Sequence, residues 1–259
     1  MASVLDQLKK GPRARIFVAT PCYTGKVDHE VAVSMQVATM VCMVKAVILD
    51  WVGAGGFSLV QYARNWLSME FLERKECTHI LWLDDDVCFE PDAIMKLLNR
   101  NVDAIGGCYM NKHPTKSTFL YQSLGPEVDG LQEASKLPGG FLLLTHQVMQ
   151  TLADKAVWYE LEHAGKTRSS PHIFELVMQD LPDGKKQLIG EDYIFSQKVL
   201  QAGFKMYVET NIGFTHFGRK GWSGNLHQTL EREAAANVGG QGVPESWKLN
   251  QEQVEKGRA

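Results

Sequence analysis

Apolar and polar positions alternate along this chain in blocks that predict strand and helix in turn. Residues 15–20 (Arg-Ile-Phe-Val-Ala-Thr) form an apolar run of strand length, closed by the turn residues Pro21-Cys22-Tyr23-Thr24-Gly25. Over 28–44 the apolar positions recur at helical spacing, with Val31, Met35, Ala38, Val41 and Cys42 on one face and Asp28 as the N-cap. Residues 46–52 predict a second strand, followed by a glycine turn at Gly53-Ala54-Gly55-Gly56. A helix over 59–74 comes next, capped by Ser58. A third strand, 78–83, runs into Asp84-Asp85-Asp86, and a helix opens at 88–92 with Pro91 in its first turn and Ile94, Leu97 and Leu98 inward. Residues 103–109 make a fourth strand. This alternation predicts an α/β fold with a mainly parallel sheet covered on both faces.

Beyond 112 the rhythm changes. Short strands are expected over 117–122 and 125–131, then a strand over 137–144 that opens on Gly139-Gly140, and a short helix over 146–152. Residues 158–184 are mixed and polar, with a turn at Pro182-Asp183-Gly184, and predict an antiparallel accessory region. A helix opens at Gly190-Glu191-Asp192 and ends at Ala202-Gly203. Residues 204–209 follow as a strand, then Gly213 to Gly218, a basic glycine-punctuated loop over 219–225, a helix over 226–237 and a polar tail. Residues 1–10 have the spacing of a short amphipathic helix, with Val4, Leu5 and Leu8 on one side, broken by Gly11-Pro12. No internal repeat and no Pro/Ser-rich linker divides the chain. It therefore reads as one domain over 1–259, with a first half (11–112), a second half (113–225) and a C-terminal helix and tail (226–259).

Composition narrows the classes. With 44% hydrophobic and 22% charged residues, the 259-residue chain has the make-up of a globular domain. A net charge of −3 gives no general attraction to nucleic acid or anionic membrane. No apolar run approaches the roughly 20 residues of a membrane span, and residues 1–10 lack a signal-peptide core, so a cytoplasmic protein without membrane insertion is expected. The five cysteines are scattered without a CxxC pair, which argues against a zinc site or disulfide framework.

The chemistry concentrates at element ends. Three adjacent carboxylates after a buried strand repel one another unless solvent or a cation neutralises them, and oxygen ligands of this kind suit Mg²⁺ or Mn²⁺. A solvated acidic turn is the plain alternative. Glu191-Asp192 at a helix start can simply answer the helix dipole, and His216 can be a core histidine. Tyr23 is either packing or a base-stacking residue, and Arg64 is either a solvated charge or a phosphate contact. The glycine cluster at 53–56 has neither the GxGxxG nor the P-loop spacing.

Taken in order, these features resemble a glycosyltransferase of the GT-A type, close to the family-2-like enzymes of bacteria, phages and large viruses. The likeness rests on the Pro21-Cys22-Tyr23 turn, Ala63-Arg64-Asn65, Leu81-Trp82-Leu83-Asp84-Asp85-Asp86-Val87 as a DxD block, Ile105 to Tyr109, Gly139 to Leu143, Gly190 to Tyr193, and His216-Phe217-Gly218. It implies a Rossmann-like mixed sheet with helices on both faces and a small antiparallel acceptor-side region. It also implies an activity: transfer of a sugar from a nucleoside-diphosphate sugar, a UDP-sugar before others, with Mn²⁺ or Mg²⁺. Asp86 and His216 would ligate the metal directly, and Asp84 would meet the ribose, or the metal through water. Pro21, Tyr23, Arg64 and Asp85 would line the nucleotide pocket, and Gly139 and Gly140 would let the backbone approach the sugar. Asp192 would be the base of an inverting reaction, with Glu191 orienting it or contacting the acceptor. On the loop after His216, Lys220 or Arg219 would add positive charge and Trp222 would form a lid, or these residues are simply solvated. The second strand ends in Asp50-Trp51-Val52-Gly53 and no QxxRW motif follows Asp192, so a processive synthase is not implied.

Two other classes use related parts. A sugar nucleotidyltransferase would carry a glycine-rich, basic loop after strand 1, where this chain has only Lys26. A non-catalytic nucleotide-sugar-binding module would need none of Asp84, Asp86, Asp192 and His216. The acceptor is a protein, a glycan or a modified nucleic acid. The last of these would use a basic groove built from Lys112, His113, Lys116, Arg219 and Lys220.

Overall fold

A computed structural model of the chain describes residues 11–112, 118–218 and 222–235. The helix expected over 1–10, the tail, His113, Lys116, Arg219 and Lys220 lie outside the described residues, as does the side chain of Trp222. The first half follows the predicted alternation: β1 (Ala14–Cys22), α1 (His29–Val44), β2 (Val47–Gly55), α2 (Val60–Glu73) and β3 (His79–Leu83). Then come β4 (Val87–Phe89), α3 (Ala93–Asn99) and β5 (Ala104–Gly107). The second half supplies β6 (Gln122–Ser123), β7 (Leu131–Lys136), β8 (Phe141–Thr145), α4 (His146–Lys155), the hairpins β9–β10 (Trp158–His163, Lys166–Pro171) and β11–β12 (Val177–Asp180, Lys186–Ile189), and α5 (Glu191–Gln201). The chain closes with β13 (Met206–Glu209), β14 (Gly213–His216), β15 (Trp222–Asn225) and α6 (Leu226–Ala235).

Eight strands form the main sheet in the order β2-β1-β3-β8-β5-β13-β7-β6. It is mixed rather than mainly parallel. β2, β1 and β3 are parallel, but β8 enters antiparallel between β3 and β5, and β7 pairs antiparallel with β13. The side chains of β1 split by period two into the two cores. Ile16 and Val18 pack with α1 and α3 on one face, while Phe17 and Ala19 pack with α2, α4 and α5 on the other. The expected antiparallel accessory region is present as the two hairpins over 158–189.

Several boundaries differ from the sequence reading, for local reasons. The expected turn at 53–56 is strand as far as Gly55, because β2 keeps its parallel pairing with β1 to Cys22↔Gly55, and a Cβ on Gly55 would lie 2.7 Å from the Gly25 Cα. α2 begins after Leu59, and Ser58 makes no cap. Asp28 is the N-cap of α1 by position, yet its side chain caps nothing, and its N–H instead donates to the Asp85 carbonyl at 2.9 Å. Residues 87–89 are not helix: they form β4, which pairs with β14 in a separate three-stranded sheet completed by β15. Residues 222–225 are therefore strand, not loop. Residues 125–130 are turn, and the strand expected there begins at Leu131.

The helix α6 is tied to the body by His227, whose Nδ1 lies 3.0 Å from a Glu127 carboxylate oxygen. The hydrogen bond to Glu127 raises His227. Burial alone would raise Glu127, but bonds from His227 and Thr210 hold it lower. Stability from a raised histidine is complete below its unfolded value near 6.5 and is lost as pH climbs through the folded value. The protection of α6 amides against exchange, relative to the intrinsic rate at each pH, should therefore fall as pH rises above the free histidine value, and His227→Gln should abolish that fall. A variant with the same pH profile as wild type would refute the assignment.

Candidate active site

β1, β3, β5 and β13 run the same way, so their carboxyl ends share one edge of the sheet, where open α/β sheets bind ligands. The antiparallel β8 begins at this edge. The Leu83↔Phe141 register and the Asp84 N–H to Gly140 carbonyl bond (3.1 Å) set Gly139-Gly140 beside the acidic triplet. A cleft of about 460 Å³ opens here. Pro21, Tyr23, Arg64, all three of Asp84, Asp85 and Asp86, Glu191, Asp192 and His216 line it. The expected nucleotide, metal and base residues among the described ones thus reach one cavity, with the two glycines packed against Arg64, Asp84 and Asp192. Tyr23 stands 73% exposed at its mouth.

Arg64 organises the floor. It projects from α2, which is buried on most of its surface between the sheet and the β9–β10 hairpin. Its guanidinium donates to Asp84 Oδ1 (3.0 Å) and to the Gly139 carbonyl (3.1 Å), and lies 3.3 Å from Asp192 Oδ1. The faces of Phe174 and Trp82 lie 5.5 and 5.8 Å from its Cζ. Burial works against the charge, but Asp192, Asp84 and Glu191 outweigh it and hold Arg64 firmly protonated. Arg64 is therefore a buried counter-ion of two carboxylates rather than a solvated charge. Its neighbour Asn65, wholly buried, donates to the Phe174 carbonyl and accepts from the Ile173 and Phe174 N–H groups, which fixes the aromatic loop beneath Arg64.

Burial raises Asp84 and Asp192 above the usual carboxylate range, with Arg64 opposing in both. Asp192 Oδ1 is fully enclosed while the side chain keeps 26% exposure, which leaves Oδ2 as the oxygen facing the cleft. Glu191, also raised by burial and by Asp192, sits beside it at the start of α5. Asp85 is pushed up to about 6 by burial and by its two acidic neighbours. The Tyr109 hydroxyl accepts from the Gly140 N–H at 3.0 Å and donates toward Asp84 Oδ2 at 3.4 Å, and burial keeps it protonated.

A Cβ on Gly139 would overlap Arg64 and Asp192, and one on Gly140 would overlap the Tyr109 hydroxyl and the Asp84 carboxylate. The immediate neighbours of this glycine pair are thus the protein's own site groups. Gly140→Ala should cost about 1–3 kcal/mol by overpacking and shift Asp84. Urea unfolding checks the first effect, and an unchanged midpoint would contradict this packing.

Asp86 and His216 lie side by side at the cleft. Asp86 Oδ1 lies 3.3 Å from His216 Nε2. Nδ1 of the same ring is 2.8 Å from the Met110 carbonyl, which can only accept, so Nδ1 carries a proton and Nε2 is the nitrogen turned to the carboxylate. With Nε2 unprotonated, the ring and the Asp86 carboxylate would face a cation bound between them as two lone-pair donors. Cis ligands about 2.1 Å from an ion lie about 3 Å apart, close to what is seen. The donor set fits a hard divalent ion. Among the described residues no group of three or more His, Cys, Asp or Glu could hold a metal, so two protein ligands would be completed by phosphate oxygens and water, the usual Mg²⁺ pattern. Burial alone would raise Asp86, but His216 and Lys112 hold it low, in the ionised form a ligand needs.

Sequence reading placed Lys112 in a basic groove. Instead its ammonium pairs with Asp86 Oδ2. Tyr109 and Asn65 stood within quoted motifs without assigned roles. Tyr109 follows the glycine pair that closes β5, a signal of a side chain near a strand end, whereas Asn65 in mid-helix carries none.

No protein-family model matches the chain, and no curated protein matches it. Among solved structures, A197 from STIV superposes over 79% of this chain and 86% of its own, with 16% identity and a TM-score of 0.50. A putative glucose-1-phosphate thymidylyltransferase from Bacillus anthracis in complex with a sucrose aligns over 89% of this chain and 97% of its own, with 11% identity and a TM-score of 0.35, too loose to carry an argument. No helix among the described residues is long and apolar enough to cross a membrane. The likeness to A197 is one of fold: a large mixed sheet flanked by helices, of the Rossmann-like GT-A type.

Proposed function

We propose that the protein is a metal-dependent glycosyltransferase that moves a sugar from a nucleoside-diphosphate sugar to an acceptor hydroxyl with inversion. One observation carries the reading. A metal-type pair, Asp86 and His216, and a raised carboxylate, Asp192, share one cleft with Arg64 and Asp84 between them. Tyr23 and Pro21 at the cleft mouth suit the nucleobase, and Asp84 suits the ribose. A divalent cation held by Asp86 and His216 would stabilise the charge on the departing diphosphate. Lys112, against Asp86, adds a second positive charge at that end of the cleft. At the other end Asp192 Oδ2 accepts the proton of the attacking hydroxyl. Burial makes this carboxylate more basic than usual, while Arg64 keeps it ionised and fixed. The donor is a UDP-sugar before other nucleotides, and the acceptor a protein, glycan or modified nucleic acid.

The test is a donor screen. Purified protein is incubated with UDP-, GDP-, dTDP- and CMP-sugars, with Mn²⁺ or EDTA, and released nucleotide is counted. Metal-dependent release from one donor, lost in Asp86→Ala and His216→Ala, is the expected result. No release and no nucleotide binding by calorimetry would sink the proposal. A product sugar with the donor's anomeric configuration would overturn inversion alone.

A further inference from the structure

The helix α1 has an outer face that nothing among the described residues covers. From Val31 to Val44 it contains no charged residue. Val31, Met35, Ala38 and Cys42 are buried against the sheet, as an amphipathic helix requires. The opposite face is apolar too: Val33, Val37, Met40, Met43 and Val44 are each at least 36% exposed. Surface helices normally put Lys, Glu or Gln at such positions, and here Gln36 is the polar exception. An apolar patch of this kind marks an interaction site rather than a solvated surface.

Spacing and charge identify the occupant. Val33, Val37, Met40 and Val44 are separated by 4, 3 and 4 residues, the seam of a helix pair. That series reads the same in reverse. If a second α1 lies antiparallel across it, Val33 meets Val44 of the second copy and Val37 meets Met40 of the second copy. The ends are complementary in the same arrangement. Glu30 precedes the apolar stretch and Lys45 follows it, and neither makes an ion pair among the described residues. Antiparallel pairing brings each Glu30 within about one helical turn of a Lys45 on the other copy, twice over, as an isologous contact requires.

We infer that α1 is the two-fold interface of a homodimer, formed by antiparallel packing of the Val33-Val37-Met40-Val44 seam and closed at both ends by Glu30–Lys45 pairs. One four-turn helix pair is a small contact, at the size of reversible rather than permanent assemblies.

Sedimentation equilibrium of the full chain from about 1 to about 200 µM tests this. The expected result is a monomer–dimer equilibrium. Val37→Lys with Met40→Lys, at two exposed positions, should raise Kd at least about tenfold with Tm unchanged. Glu30→Lys should weaken association severalfold, and adding Lys45→Glu should restore it, because the swapped charges meet again across the axis. A chain that stays monomeric at the highest concentration overturns the inference, whatever else then covers the face. So does a dimer indifferent to the Val37/Met40 pair, or a double charge swap weaker than the single one.

Discussion

Asp192→Asn should lower the rate of sugar transfer by about 100- to 10,000-fold, the range that a positioned general base contributes. The substitution is isosteric. It leaves an oxygen to face Arg64 and removes the one feature the proposed reaction needs from Asp192, a carboxylate oxygen open to the cleft. Donor affinity and metal dependence should persist, because among the described residues no hydrogen bond or ion pair joins Asp86 or His216 to Asp192. The split between binding and turnover is therefore the diagnostic. Calorimetric binding of nucleotide sugar should remain within about threefold of wild type while kcat collapses. Glu191→Gln serves as the counter-test. Glu191 lines the same cleft and is also raised by burial and by its neighbour. If Glu191→Gln abolishes transfer and Asp192→Asn leaves it intact, the two carboxylates exchange roles. If neither matters, proton removal lies elsewhere and the proposed mechanism fails.

What the sequence disclosed of this site was its endpoints. A buried strand running into Asp84-Asp85-Asp86, a helix opening on Glu191-Asp192 and a histidine closing a short strand are local patterns, and all of them converge on one cleft. The connections between them were not legible, because each depends on a pairing that no local pattern encodes. β8 looks like any apolar strand following a glycine pair. Its antiparallel insertion between β3 and β5 is what sets Gly140 against Asp84 and brings the end of β5 across to the acidic triplet. From that placement follow the contact of Tyr109 with Asp84 and that of Lys112 with Asp86. Read along the chain, Lys112 is a basic residue in a polar stretch and gives no hint of its partner 26 residues earlier. β4 failed for a different reason. Three residues cannot display a period, and Val87-Cys88-Phe89 is strand because β14 arrives from more than 120 residues away to pair with it. The same mechanism turned 222–225 from expected loop into strand.

Arg64 makes the strongest demand on stability. Its side chain is 3% exposed and is the shared counter-ion of Asp84 and Asp192. Arg64→Leu should therefore destabilise the protein by about 3–5 kcal/mol at pH 7.5, the cost of leaving buried carboxylates without their cation. The direction of the pH dependence follows from the shifts. Burial already raises both carboxylates, and Arg64 is the largest influence holding them down, so its loss raises them further. A carboxylate whose folded-state value is raised costs stability wherever the unfolded chain is ionised, that is, above about pH 4, and the cost fades as falling pH protonates both states. The gap between wild type and variant should thus be widest near pH 7–8 and narrow toward pH 4–5, as urea titrations at each pH would report. Adding Asp192→Asn to Arg64→Leu removes one of the stranded charges. The double variant should then be more stable than the single one at pH 7.5, an inversion of ordinary additivity that arises only when the two groups are directly coupled. A loss below about 1 kcal/mol, or a gap independent of pH, would mean that water reaches these carboxylates as freely as it reaches the surface. In that case Arg64 would be no more than a rim charge, and the fixed, partly desolvated Asp192 on which the proposed chemistry depends would lose its support.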